Sequence, residues 1–450
     1  MAFRVNGLIF LYVKSLENHT KRKRVCYMEE NMESKKKLDL ISLASIPLVM
    51  TLGNSMLIPV LPSIEKKLHI SSFQVSMIIT VYSIVAIILI PIAGYLSDRL
   101  GRKKVIIPSL IIAGIGGLVT GWASWKMNDP YYIILIGRLL QGIGSAGAAP
   151  VVLPLVGDMF EDEKDVSSGL GLIETSNTFG KVMSPIVGAA LATFIWHLPF
   201  WFIPIFCLIS IGLVFFLVKV PKKEEEKTQP AFKEFFRSFK KTFKSNAKWL
   251  MAIFAIGGII MFVLFGVLFY LSTTLEEEYG INGIKKGFVL AIPLLALSIS
   301  SYIAGKKIGQ SKTLMKWLTF GGIMLLAVSI LCVTFTDGLY FLLGILFVSG
   351  IGIGSALPCL DALITEGIEK EERGTMTSLY SSMRFVGVAL GPPVYAIIMK
   401  SDHSIVFYTS AGVSLLAAIL AFFAIKPEKE KGEKGKKEEA PTNPLNPALH

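Results

Sequence analysis

Apolar residues in this chain arrive in blocks of about 20, separated by short polar breaks. As a helix rising 1.5 Å per residue, a block of that length covers a bilayer core of about 30 Å. Twelve such blocks can be traced, the first at 40–62 and the last at 404–425. In lipid every backbone polar group needs a partner, which leaves only helices or a closed barrel. The alternating segments of a membrane barrel are missing, so the blocks are read as helices. Composition agrees, with 52% hydrophobic and 17% charged residues in 450, against about 25% charged in a soluble domain. An ordinary soluble enzyme, a disulfide scaffold and a disordered chain are thereby excluded. The expected fold class is an all-α integral membrane protein of twelve transmembrane helices in two pseudo-symmetric six-helix bundles.

The net charge is +12, from 45 Lys and Arg against 33 Asp and Glu. Basic proteins often bind nucleic acid, but this charge falls between the apolar blocks, so a lipid bilayer is the expected partner and no nucleic acid is. If both termini lie inside, Lys and Arg crowd the inner loops. The outer loops then hold only Lys66, Lys67, Lys126, Lys285, Lys286 and Lys400. That bias predicts a multi-pass cell-membrane protein with both termini in the cytoplasm. Cys26, Cys207, Cys332 and Cys359 have no motif spacing and read as packing residues. Neither a disulfide nor a metal site is expected.

The breaks divide the chain. Residues 1–37 are expected to be a cytoplasmic tail, with Met28 or Met32 as the alternative start. Its apolar Gly7–Val13 stretch is too short to span and lacks a cleavage site. Two six-helix bundles follow, at 38–218 and 249–425, and 426–450 is a charged cytoplasmic tail. The linker, 219–248, carries Phe232, Phe235, Phe236, Phe239 and Phe243 at helical spacing among Lys233, Arg237, Lys240, Lys241 and Lys244. That pattern predicts an amphipathic basic helix on the inner membrane surface or packed on the bundle. A weak repeat relates the bundles. Gln141-Gly142-Ile143-Gly144 recurs as Ser349-Gly350-Ile351-Gly352, and Pro150 is matched by Pro358.

Short motifs narrow the reading. After span 2 the chain runs Gly94-Tyr-Leu-Ser-Asp98-Arg99-Leu-Gly101-Arg102-Lys103-Lys104. It resembles motif A of the major facilitator superfamily. The resemblance implies an inner gate of Gly94, Asp98, Gly101, Arg102 and Asp158, with Arg102 paired to Asp158 and Asp98 facing the start of span 11 near Gly374 and Thr375. Span 4 holds Gly137-Arg138-Leu-Leu-Gln141-Gly142, similar to motif B, whose Arg is tied to proton coupling. Span 5 holds Gly171, Gly180, Ser184, Pro185 and Gly188 at the spacing of motif C. That resemblance implies an antiporter that exports drugs, although Ser184 and Ala189 replace two of its glycines. Leu52-Gly53-Asn54 through Pro59 and Pro62 resembles the first-helix signature of twelve-helix drug:proton antiporters. Around Ile173–Lys181 the chain also resembles exporters from bacilli that release catecholate siderophores of the bacillibactin type.

Charge inside a span is expensive and marks function by default. Arg138, Glu174, Lys181, Asp361 and Arg384 fall inside the blocks. Glu174 and Lys181 lie on one helix face about 10.5 Å apart, with Asn177 between them. The expected coupling and substrate residues are Arg138, Glu174, Asn177, Lys181, Arg384 and Asn54, with Glu174 the choice for proton carrier. Lys181 and Arg384 suit an amphipathic, anionic substrate. The competing reading pairs Lys181 with Glu174 and bonds Arg384 to helix carbonyls, leaving Asp361 at the surface or inside.

No phosphate-binding loop follows any Gly-Lys pair, so a proton gradient is the expected energy source, with no cofactor. The expectation is a monomeric, proton-coupled secondary exporter of small amphipathic molecules, multidrug or siderophore, and no enzyme. A nutrient or organic-acid symporter and a glycolipid flippase are the alternatives.

Overall fold

The computed structural model describes residues 37–159, 163–218, 232–309, 311–335, 338–368, 370–401 and 403–425. The two candidate starts, the Gly7–Val13 stretch, Cys26, residues 219–231 and the 426–450 tail lie outside the described residues, as do the side chains of the linker phenylalanines. Among the described residues the regular elements are all helical. In chain order they are α1 (Lys37–Leu68), α2 (Ser72–Leu100), α3 (Arg102–Lys126), α4 (Tyr131–Met159), α5 (Glu163–Phe194) and α6 (Leu198–Leu217). Then come α7 (Phe232–Glu277), α8 (Gly283–Ile308), α9 (Lys312–Val333), α10 (Leu339–Gly367), α11 (Lys370–Ile398) and α12 (His403–Ala424).

By length and apolarity, 11 candidate spans cross a membrane among the described residues, and α5 is not one of them. It is long enough at 32 residues, but Glu174, Asn177 and Lys181 dilute its apolar content. Such a helix is stable at that depth when its stripe faces protein or water.

Local chemistry explains the helix boundaries. The span expected at 40–62 continues to Leu68, but it is interrupted by a turn and a 3₁₀ segment at Ile58–Val60. Pro59 and Pro62 supply no N–H to the helical ladder there. Ser71 and Gln74 form a capping box that starts α2. Gly101, at φ 101°, makes the turn into α3, a conformation that side chains with a Cβ rarely adopt. The helix expected in the linker is not separate: from Phe232 it runs unbroken into the seventh span. Neither Pro nor Gly occurs between Phe232 and Ile256 to stop it.

The two halves repeat one packing plan. In the first, α4 packs on α2 and α3, and α3 on α6; in the second, α10 packs on α8 and α9, and α9 on α12. The repeated glycines occupy equivalent places. A Cβ on Gly142 would overlap the Tyr82 carbonyl of α2, and one on Gly350 the Pro293 carbonyl of α8. Small residues that let helix backbones approach are the usual adhesive in lipid, where apolar burial supplies no drive. The halves meet along two seams, α2 with α11 and α5 with α8.

Candidate functional site

Between the seams lies a cavity walled by α1, α2, α4, α5, α7, α8 and α11. Asn54, Glu174, Asn177 and Lys181 line it from the first half, and Arg384 from the second. Met261, Leu264, Phe265 and Leu268 make one wall of the second half apolar. The cavity is therefore polar on the α5 side and apolar on the α7 side.

The polar side is ordered by α1. The Thr51 hydroxyl donates to Asn177 Oδ1 at 2.7 Å. Asn177 Nδ2 in turn donates to both carboxylate oxygens of Glu174, each at 3.4 Å. Lys181 makes no ion pair with Glu174, and no hydrogen bond or ion pair joins it to any described residue. Arg384 is not bonded to helix carbonyls; its Nη1 meets Asp361 Oδ1 of α10 at 3.3 Å. Asp361, which the sequence left between surface and interior, is the partner of Arg384, with 39% of its side chain exposed.

Arg138 is placed differently from the sequence expectation. It is fully buried and does not line the cavity. Its Nε donates to the Ile78 carbonyl at 2.7 Å, its Nη1 to the Gly53 carbonyl and Gln141 Oε1, and its Nη2 to Asn54 Oδ1 at 2.6 Å. The guanidinium also sits 4.5 Å from the centre of the Tyr82 ring. No carboxylate among the described residues pairs with it. Neutral acceptors and a ring face satisfy the charge, and α4 turns it onto α1 and α2 behind Asn54.

The motif C residues form the α5–α1 contact. Gly180 lies against Leu48 and Thr51, and a Cβ on Gly188 would overlap the Met56 carbonyl. Ser184 bonds the Gly180 carbonyl at 2.6 Å, and Pro185 lines the cavity. A Cβ on Gly171 would meet nothing within 4 Å, so this glycine takes no part in that packing.

At the end of the bundle where α1 begins and α12 ends, Arg102 Nε reaches Asp158 Oδ2 at 3.1 Å and also pairs with Asp98. Arg102 Nη1 donates to Ser97 Oγ at 2.7 Å. Asp98 shares a small pocket with Gly374, Thr375 and Ser378 of α11. The helix α11 begins at Lys370 and its candidate span at Gly374, so Gly374 and Thr375 stand at the start of that span. Gly94 comes close to Ser378, whose Oγ would lie 3.1 Å from a Cβ there.

The far end holds a cluster that sequence reasoning placed in loops. Glu276 of α7 accepts from Lys66 of α1 at 2.9 Å and from Lys286 of α8 at 2.8 Å. Lys286 and Glu276 are buried, with side chains 3% and 8% exposed, and Lys66 is 58% exposed. Ser272 adds a bond to the Ile58 carbonyl at 2.9 Å, and the α5–α8 seam is tight where Gly287 meets Pro185. The halves are joined there by these contacts, while Glu174 is exposed. Thr51, Glu276 and Lys286 left no motif in the sequence; Thr51 was a polar residue inside the first apolar block, and the other two were charges beside apolar blocks.

Comparison with known proteins follows the same lines. The family model described as Major Facilitator Superfamily matches residues 43–392 and 315–449. The chain is 59% identical to the bacillibactin exporter of Bacillus subtilis (strain 168), over 87% of this chain and 97% of that protein. It is 24% identical to the multidrug efflux protein YfmO of the same organism, over 82% of this chain and 88% of that one. Among solved structures, the human organic anion transporter MFSD10 (TETRAN) superposes with a TM-score of 0.68 at 18% identity, covering 86% of this chain and 99% of that one.

Proposed function

The chain belongs to the Major Facilitator Superfamily, a multi-pass membrane transporter and not an enzyme, and from that premise we propose that it is a proton-coupled exporter of small amphipathic molecules. Catecholate siderophores are the foremost substrate class, and acidic drugs are the second. The reading rests on the likeness to the bacillibactin exporter and on one observation: Lys181, in a cavity between the halves, is unpaired among the described residues. An ammonium at that depth without a partner is costly, and an anionic or phenolic ligand relieves the cost. Arg384, from the opposite half and already paired to Asp361, adds a second positive contact. Met261, Leu264 and Phe265 suit the aromatic and apolar parts of such a ligand.

In this reading the cavity serves each side of the cell membrane in turn, both termini are cytoplasmic, and the far end, where Lys66 meets Glu276, faces outward. Glu174 carries the proton, and its neighbour Asn177 donates to its carboxylate oxygens. Energy comes from the proton gradient, because the sequence has no phosphate-binding loop.

Everted membrane vesicles test the proposal. With the interior acidified, they should accumulate a labelled catecholate siderophore, and an uncoupler should abolish the accumulation. Accumulation only in right-side-out vesicles would make the protein an importer. Accumulation that needs ATP and ignores the uncoupler would remove the proton from the mechanism.

A further inference from the structure

Two asparagines line the cavity, and each has its amide oxygen held from behind. Arg138 Nη2 donates to Asn54 Oδ1 at 2.6 Å, and Thr51 Oγ1 donates to Asn177 Oδ1 at 2.7 Å. Arginine has donors and no acceptor, so the atom it meets on Asn54 has to be the oxygen. At Asn177 the orientation follows from Glu174, since a flipped amide would set its oxygen against two carboxylate oxygens. Both amides are therefore fixed in orientation, the Asn54 NH₂ turned away from Arg138 and the Asn177 NH₂ turned to the Glu174 carboxylate. The Asn54 nitrogen bonds to no described residue and is left to the cavity that Asn54 lines. With the Lys181 ammonium, the Asn54 NH₂ gives the first half two donors that no described residue meets, beside the Glu174 carboxylate that holds the Asn177 NH₂.

We infer that Arg138 and Thr51 are positioning residues that set the hydrogen-bond polarity of the site through Asn54 and Asn177, so that it selects ligands by clustered acceptor oxygens, as in phenolates, carbonyls and carboxylates, and discriminates against cations. The inference rests on reading this cavity as the substrate site, and it deepens that reading by naming what the ligand must present. It also gives Arg138 a role in recognition. The guanidinium never touches the ligand; it decides which end of Asn54 does. Where Asn54 and Lys181 face the ligand, a cation is penalised twice, through an unpaired donor and through like charge.

Other charged groups around this site are Glu174 and Lys181 on α5, Asp361 on α10 and Arg384 on α11, with the Tyr380 hydroxyl nearby. They are unchanged in the variants that test the idea. Asn54→Asp is nearly isosteric, replaces the NH₂ donors by an acceptor, and gives Arg138 a carboxylate partner, so the fold is not put at risk. Thr51→Val removes the second lock, and Thr51→Ser restores it.

The measurement is equilibrium binding to the purified full-length protein of two probes, a 2,3-dihydroxybenzoyl amide and tetraphenylphosphonium. Binding does not depend on the direction or energy source of transport, so the vesicle experiment can fail while this one succeeds. Wild type should prefer the amide. Asn54→Asp should weaken the amide about tenfold and tighten the cation, with a melting temperature no lower than wild type. Thr51→Val should shift the same ratio by about threefold, and Thr51→Ser should return it to the wild-type value. An affinity ratio unchanged in Asn54→Asp overturns the inference, as does a wild-type protein that binds the cation at least as tightly as the amide.

Discussion

Lys66 of the first half and Glu276 of the second meet at 2.9 Å across the far end of the bundle, and only the lysine is free to leave. Glu276 keeps a second partner, Lys286, at 2.8 Å inside its own half. Parting the halves there would send an exposed ammonium into water and leave the buried carboxylate paired. A gate built in this way opens without stranding a charge.

The three residues should consequently differ in what their loss does. Lys66→Ala should cost less than about 1 kcal/mol of stability, the range of exposed pairs. Glu276→Gln leaves Lys286 buried without its anion and should cost about 3–5 kcal/mol. Thermal unfolding in detergent checks the order. Equal effects would mean that Lys286 is not held by Glu276.

At the opposite end, Asp98→Asn should slow transport about tenfold and leave the protein folded. Arg102 keeps Asp158 at 3.1 Å and Ser97 at 2.7 Å in that variant, so its side chain stays anchored. A tenfold change corresponds to about 1.4 kcal/mol, a fraction of what a two-state switch requires. Initial rates in proteoliposomes give the readout, and wild-type rates would remove Asp98 from the gate.

Lys181→Gln should impair efflux of anionic substrates more than efflux of cationic dyes, by about tenfold in the ratio. Arg384→Gln should act in the same direction and also release Asp361 from its 3.3 Å contact. Side-by-side efflux of an acidic and a cationic fluorophore decides the matter. Equal loss of both would mean that the two cations are structural.

Glu174→Gln should uncouple efflux from the pH gradient. Downhill movement of substrate should persist, because the amide fills the same space and mimics the protonated carboxyl. Proton release on substrate addition to the purified protein should vanish. Retained proton-coupled efflux would move the carrier elsewhere, with Asp361 the next carboxylate in reach.

The glycines divide into two classes that sequence alone ranks together. Gly142→Ala and Gly350→Ala press a methyl group onto a backbone carbonyl and should each cost about 1–3 kcal/mol. Gly171→Ala meets nothing within 4 Å and should be tolerated. Yields and melting temperatures of the three variants test the contrast.

The chain's own pattern determined a great deal. Hydropathy is a local sum along the backbone, and a long apolar segment in lipid satisfies its backbone as a helix, so most of the spans were legible before any contact was known, α5 falling short by its polar stripe. The repeat of Gly142 in Gly350 was legible too, because close approach of two backbones admits almost nothing larger. Polar stripes such as Glu174, Asn177 and Lys181 announced a face turned from lipid. Sequence could not say what each stripe meets, since that depends on how every helix is rotated about its axis and on partners far away in the chain. Asn54 and Arg138 are 84 positions apart, and Lys66 and Glu276 are 210 apart. Only their packing decided that Arg138 stands behind the cavity wall, that Arg384 is held by Asp361 and Lys181 is not held by Glu174, and that two lysines share one buried carboxylate. Those are balances of desolvation against pairing, settled by angstroms that no linear spacing encodes.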